Sequence, residues 1–236
     1  MAKPPSVAVP PVARGLWLVG TLLGAIGWWL PWVVDQKGAA ALVLLGLDLG
    51  DFWKFTAAWR AGLLEWERLC FFLPPLLAAL LLTLWIAGER SRWRWIFAPI
   101  ILFLAVVILP AFDSQLLPAV ASWFPPRFAN ADMARQFSAQ LYGSLVGVAA
   151  LVAVPLWQRL AERWRAALSA LLALLAAALP SWAMWMTWPT LQSLYGGGAQ
   201  VGAGLWATVA GFVVAALGAL WVTLVGGRHR SRADSS

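Results

Sequence analysis

The stretch AGLWATVAGFVVAALGALWVTLVG, Ala203–Gly226, carries no charged side chain. At 1.5 Å rise per residue it is long enough to cross a hydrocarbon core of roughly 30 Å as a single helix. Five small residues, Ala203, Ala207, Gly211, Ala215 and Ala219, recur in it every four positions and line one face. Such a face lets two helix backbones approach closely, which matters in lipid, where dispersion and weak hydrogen bonds replace the hydrophobic effect as the adhesive.

Five further stretches share the same charge-free character: Gly15–Val34, Leu69–Gly88, Trp95–Phe112, Ala139–Trp157 and Ala166–Trp188. The chain has 236 residues, of which 62% are hydrophobic, and the longest connection, 35–68, is too short for a separate soluble core. The pattern predicts an all-α polytopic membrane protein. Its six transmembrane helices (about 15–34, 69–88, 95–112, 139–157, 166–188 and 203–226) form one domain over 15–227, between a tail at 1–14 and a basic tail at 228–236.

Charge orients this arrangement. Lys3, Arg14, Arg90, Arg92, Arg94, Arg159, Arg163, Arg165, Arg228, Arg230 and Arg232 fall on one set of alternate connections, with Glu89, Glu162 and Asp234 as their only acids. The other set holds six cations against seven acids, so the net charge of +7 is concentrated on one side. By the positive-inside rule that side is cytoplasmic, which places both ends of the chain inside. The excess of arginine then reads as an insertion signal with some attraction to anionic headgroups, and nucleic acid is not expected as a partner.

Several chemistries are disfavoured by composition. Cys70 is the only cysteine and His229 the only histidine, so neither an internal disulfide nor haem held by an intramembrane imidazole is expected. No carboxylate, lysine or histidine lies inside a span, as general acid–base catalysis or an ion relay would require. The acids Asp35, Asp48, Asp51, Glu65, Glu67, Asp113 and Asp132 show no paired spacing and no phosphate-cradling glycine loop. The expectation is a non-enzyme with no cofactor and no metal. Thr21, Thr83, Ser144, Ser169, Ser181, Thr208 and Thr223 are expected to bond to their own helix backbones.

The spans group into three outward-and-back hairpins. Their outgoing members close on Leu30-Pro31-Trp32, Leu109-Pro110-Ala111-Phe112 and Leu179-Pro180-Ser181-Trp182, a hint of a threefold repeat. The Trp29-Leu30-Pro31-Trp32 close resembles helix ends in multi-pass bacterial membrane proteins, a resemblance that implies no activity. The 18 tryptophans read as an interfacial girdle, with Trp28, Trp29, Trp32, Trp182, Trp185 and Trp188 at outer ends and Trp17, Trp85, Trp93, Trp95, Trp157 and Trp164 at inner ends.

Three features are candidates for function. Gly20 and Gly24, Gly143 and Gly147, and Ala207, Gly211 and Ala215 are candidate helix-packing faces. Asp51–Arg68 reads as an amphipathic helix on the outer surface, whose stripe of Phe52, Phe55, Trp59, Leu63 and Trp66 is a candidate interface for lipid or a partner subunit. Pro74 and Pro75 fall inside a hydrophobic run, where a kink or an irregular start would mark a candidate pocket. The reading that results is a structural, assembly or accessory subunit of a bacterial cytoplasmic membrane complex. It would contact the bilayer and possibly other membrane subunits or a second copy of itself. A channel or facilitator for a small neutral solute or lipid is the alternative.

Overall fold

The computed structural model describes residues 10–35, 43–57, 61–89, 91–109 and 131–233. The chain is mostly helical. Helix α1 (Pro11–Gly27) leads into strand β1 (Pro31–Asp35), followed by β2 (Val43–Leu45), α2 (Gly46–Phe52), a 3-10 turn at Trp53–Phe55 and α3 (Glu65–Cys70). Four elements come next: α4 (Leu73–Ile86), α5 (Ser91–Val106), α6 (Ala131–Val152) and the short α7 (Val154–Trp157). The chain closes with α8 (Glu162–Leu194), β3 (Ala199–Val201) and α9 (Ala203–Ala233).

Helix α4 is apolar around its whole circumference, and a helix with no polar face must be surrounded. It packs against α1, α5, α6 and α8, burying Leu77, Ala78, Leu81, Leu82 and Ile86. The long helices run alternately between two ends of the bundle. Thus Gly27 of α1 lies on Thr208 of α9 while Gly218 lies on Trp17, which makes α1 and α9 antiparallel. One end gathers Arg14, the α4–α5 turn and the start of α8, and is rich in arginine.

The opposite end is capped by a small antiparallel sheet in the order β2-β1-β3. Val33 pairs with Leu44 on one side and Val201 on the other, with an irregularity between Pro31 and Val33. The strand signal is the run Trp32-Val33-Val34, bulky and β-branched, after a proline that cannot continue the helix. Helix α8 reaches this end through a left-handed turn: Gly196 and Gly197 have φ of +55° and +77°, and the Gly197 amide donates to the Gln192 carbonyl at 2.8 Å. Glycine adopts that conformation without the Cβ clash other residues meet.

By length and composition, two helices are able to cross a membrane, Glu162–Leu194 and Ala203–Val225. Pro11–Gly27, Leu73–Ile86 and Ser138–Val152 are apolar but shorter. Six full-length spans are therefore not what the helices provide: Leu73–Ile86 extends only about 21 Å, against a hydrocarbon core of roughly 30 Å. The outward faces are nonetheless strongly apolar. Trp95 is 81% exposed and Trp185 79%, and Leu171, Leu174, Leu217, Leu220 and Leu224 stand exposed along α8 and α9.

Other expectations need correction. The Leu-Pro closes do not mark equivalent helix ends: α1 stops before Pro31, whereas α8 runs through both Pro180 and Pro189. Proline removes a single amide from the ladder, and a long helix braced by neighbours absorbs that loss. The predicted amphipathic helix over Asp51–Arg68 is broken, since Thr56 is extended and residues 61–64 are non-helical between the 3-10 turn and α3. Nor do the tryptophans form a simple girdle, because Trp28, Trp32 and Trp53 are fully buried and Trp17 nearly so.

Candidate functional site

Helices α1 and α9 approach each other backbone to backbone. A Cβ added at Gly20 would stand 2.6 Å from the Gly211 carbonyl oxygen, one at Gly27 would stand 2.5 Å from the Thr208 amide, and one at Gly211 would overlap the Gly24 backbone. Phe212 lies flat over Gly24, and the seam continues to Gly218 against Trp17. Gly20, Gly24, Gly211 and Ala215 thus meet inside the bundle, on each other; Ala207 is half-buried at its edge. Gly143 and Gly147 pack on Leu76 of α4 and on Ile108 and Ala105. These small faces are consumed by internal packing.

The arginine-rich end is held by a shared ion cluster. Arg14 of α1 donates from Nη1 to Glu89 at 3.0 Å and from Nε to Glu162 at 3.0 Å, with a further short contact from Nη2 to Glu162. One guanidinium therefore ties α1 to the α4–α5 turn and to the first turn of α8, where a carboxylate also complements the helix dipole. Trp85 Nε1 adds a bond to the Arg14 carbonyl at 3.2 Å. All three charged side chains are partly solvated, so each pair contributes at most about 1 kcal/mol.

Two further arginines flank the same turn. Arg94 Nη2 donates to the Glu89 carbonyl at 3.1 Å, and Gln158, with its amide oxygen turned to Arg94, accepts from Nη1 at 2.7 Å. Arg165 is 92% buried, its relative exposure being 8%, beside Gly88. Its Nε and Nη1, and Nε of Arg94, have no hydrogen-bond acceptor among the described residues. Unmatched buried donors are costly, which makes this end chemically unfinished.

A cavity of about 430 Å³ lies between α4, α6 and α8. Leu80, Leu84, Val146, Ala150, Leu168 and Leu172 form its walls. The polar atoms along it are satisfied by neighbouring backbone: Thr83 Oγ1 donates to the Ala79 carbonyl at 2.8 Å and Trp157 Nε1 to the Ala150 carbonyl at 2.9 Å. Thr21, Ser169, Ser181 and Thr223 likewise bond four residues back on their own helices. Ser144 and Thr208 do not; with Gln140 they are buried polar side chains that make no hydrogen bond among the described residues.

The remaining predicted residues fall at the sheet end. Pro74 and Pro75 are buried in the first turn of α4, where a missing amide donor costs nothing, so they start the helix and do not kink it. They lie outside the cavity walls. Phe55, Leu63 and Trp66 are exposed, while Phe52 is half-buried and stacks on Tyr195 at 6.4 Å. Trp59 lies outside the described residues. The stripe is thus not presented by one continuous helix.

A second, largely buried cluster lies under the sheet. Trp28 Nε1 donates to the Phe71 carbonyl at 2.8 Å and Trp32 Nε1 to the Gly27 carbonyl at 3.0 Å, which lets both indoles sit in the core with their donors satisfied. Arg68 is buried there, donating from Nε to the Gly50 carbonyl at 2.8 Å with its guanidinium 5.6 Å above the Phe72 ring. Burial pushes both Arg68 and Lys54 below their ordinary values, opposed by Asp51. Among the described residues no three histidine, cysteine or acidic side chains stand close enough to hold a metal.

Sequence reasoning counted Arg14, Glu89, Glu162 and Arg165 as topological charges and missed that they converge. The available signal was the placement of Glu89 and Glu162 among the arginines on one side of the predicted bundle. No family model, curated protein or solved structure matches this chain.

Proposed function

We propose that the protein is a six-crossing integral protein of a bacterial cytoplasmic membrane. In this reading both ends of the chain lie on the cytoplasmic side, and the protein acts without catalysis as a structural, assembly or accessory subunit of a membrane complex. The observation that carries the reading is the exposed apolar surface around the bundle, combined with arginine gathered at one end. An exposed apolar patch of more than a few hundred Å² is unusual on a soluble monomer and ordinary against lipid. Alternating helix directions support an even number of crossings, and the shorter helices would be completed by the turns and short segments that flank them, such as α3 before α4 and α7 after α6.

A conduit for a neutral solute would need a polar or wet passage. The cavity between α4, α6 and α8 is apolar, and most hydroxyls near the core bond back to their own helices, which favours the scaffold over the channel. Extraction in mild detergent followed by native mass measurement tests the proposal. The expected result is a defined assembly containing at least one other protein; a strictly solitary chain contradicts it.

A further inference from the structure

We propose that the cavity between α4, α6 and α8 is a site for one acyl chain of a membrane lipid, recognised by its tail alone and without regard to headgroup. The inference rests on the membrane-embedded reading above and adds a ligand to it.

The lining sets the chemistry of the occupant. Apart from Thr83 and Trp157, every wall residue is leucine, valine or alanine. Thr83 Oγ1 donates to the Ala79 carbonyl and Trp157 Nε1 to the Ala150 carbonyl, so neither side chain has a donor to offer. A cavity of about 430 Å³ with such walls stays dry, because a water inside it would lack the polar partners it needs. A polar or charged ligand would be desolvated there without compensation. An alkyl chain loses no hydrogen bond on entry.

The place of the cavity identifies the source of that chain. Val146 and Ala149 line it and are exposed on the outside of α6, beside the exposed Leu145 and Val152, so the cavity communicates with the medium that bathes this face. From Glu162, where α8 begins at the arginine-rich end, to Leu168 on the cavity wall the helical rise is about 9 Å. A headgroup layer is roughly 5–8 Å thick, so the walls stand at the depth of the acyl chains. The lining also runs lengthwise, from Val146 to Trp157 along α6 and α7, roughly 16 Å at helical rise, which suits a chain and not a compact molecule. A tail lying there touches α4, α6 and α8 together and gains dispersion contacts that a lipid against the outer face of α9 alone lacks.

The test uses the full chain reconstituted into phosphatidylcholine vesicles doped with a phospholipid carrying a diazirine at mid-tail, under either a phosphatidylcholine or a phosphatidylglycerol headgroup. Adducts are mapped by peptide mass spectrometry. Those at Leu80, Leu168 and Leu172 should exceed those at the exposed Leu217 and Leu220 of α9 roughly tenfold, the worth of about ten extra heavy-atom contacts, and should be equal for the two headgroups. A149W puts an indole into the cavity and should cut the wall adducts by a similar factor while leaving those on α9 unchanged. Wall adducts no more frequent than those on α9, a preference for one headgroup, or wall adducts undiminished in A149W would each overturn the site. The first two comparisons are made on the parent chain and do not depend on how the variant folds. A chain that stays in solution without entering the vesicles would overturn the membrane reading itself, whereas an incorporated chain with unlabelled walls would overturn the cavity assignment alone.

Discussion

The two seams of the bundle differ in kind. Between α1 and α9 glycine meets glycine and backbone touches backbone, whereas between α4, α6 and α8 leucine and valine side chains hold the helices apart around an apolar cavity. Both are made of apolar residues in charge-free helices, so hydropathy alone does not tell them apart. What separates them is side-chain size at the contact. Small residues convert helix proximity into dispersion energy along the whole seam, and large ones leave an open volume between the helices.

The sharpest way to break this contrast is to put bulk into the tight seam. G211L forces atoms into the Gly24 backbone, which has no flexible end to move aside, and should destabilise the protein by about 3 kcal/mol or more. Thermal unfolding in detergent, followed by tryptophan fluorescence, reads the loss. A melting temperature equal to that of the parent would show that α1 and α9 are not in register as described.

The ion cluster links the two regions, because Arg14 sits on the tight side and Glu162 begins α8, one wall of the open side. E162Q removes a partly exposed partner and should cost roughly 1 kcal/mol, shrinking as salt is raised. A salt-independent loss would place the pair in a drier setting than its exposure indicates. The smallest effect belongs to the open seam: A149L adds methyl groups on an exposed cavity wall and should change stability by less than about 0.5 kcal/mol. A loss comparable to that of G211L would erase the distinction between the seams.

Much of this was legible before any coordinates. The stripe of small residues on Ala203–Gly226 predicted a close helix contact, and Gly20 and Gly24 were its visible counterparts, since spacing along a helix directly encodes which side chains share a face. Partner choice was not encoded in that way. Nothing local to Pro31–Asp35 announces pairing with Ala199–Val201, because that contact is between segments far apart in sequence. Trp28 and Trp32 looked interfacial because their type prefers an interface. Their burial depends on carbonyls of Phe71 and Gly27 that only the fold brings within reach. The same holds for Arg165, whose side chain is indistinguishable in sequence from the half-buried Arg163 two residues earlier, although Arg165 alone is buried, beside Gly88 of the α4–α5 turn.

The most direct test of the membrane account is labelling of single cysteines with a membrane-impermeant maleimide in intact cells, in a C70S background. V12C, R92C and R159C should react only after the membrane is opened, whereas L63C and S193C should react from outside. Labelling of R159C and S193C from the same side, or equal labelling of all five positions without opening the membrane, would contradict a bundle that crosses the bilayer with its arginine-rich end inside.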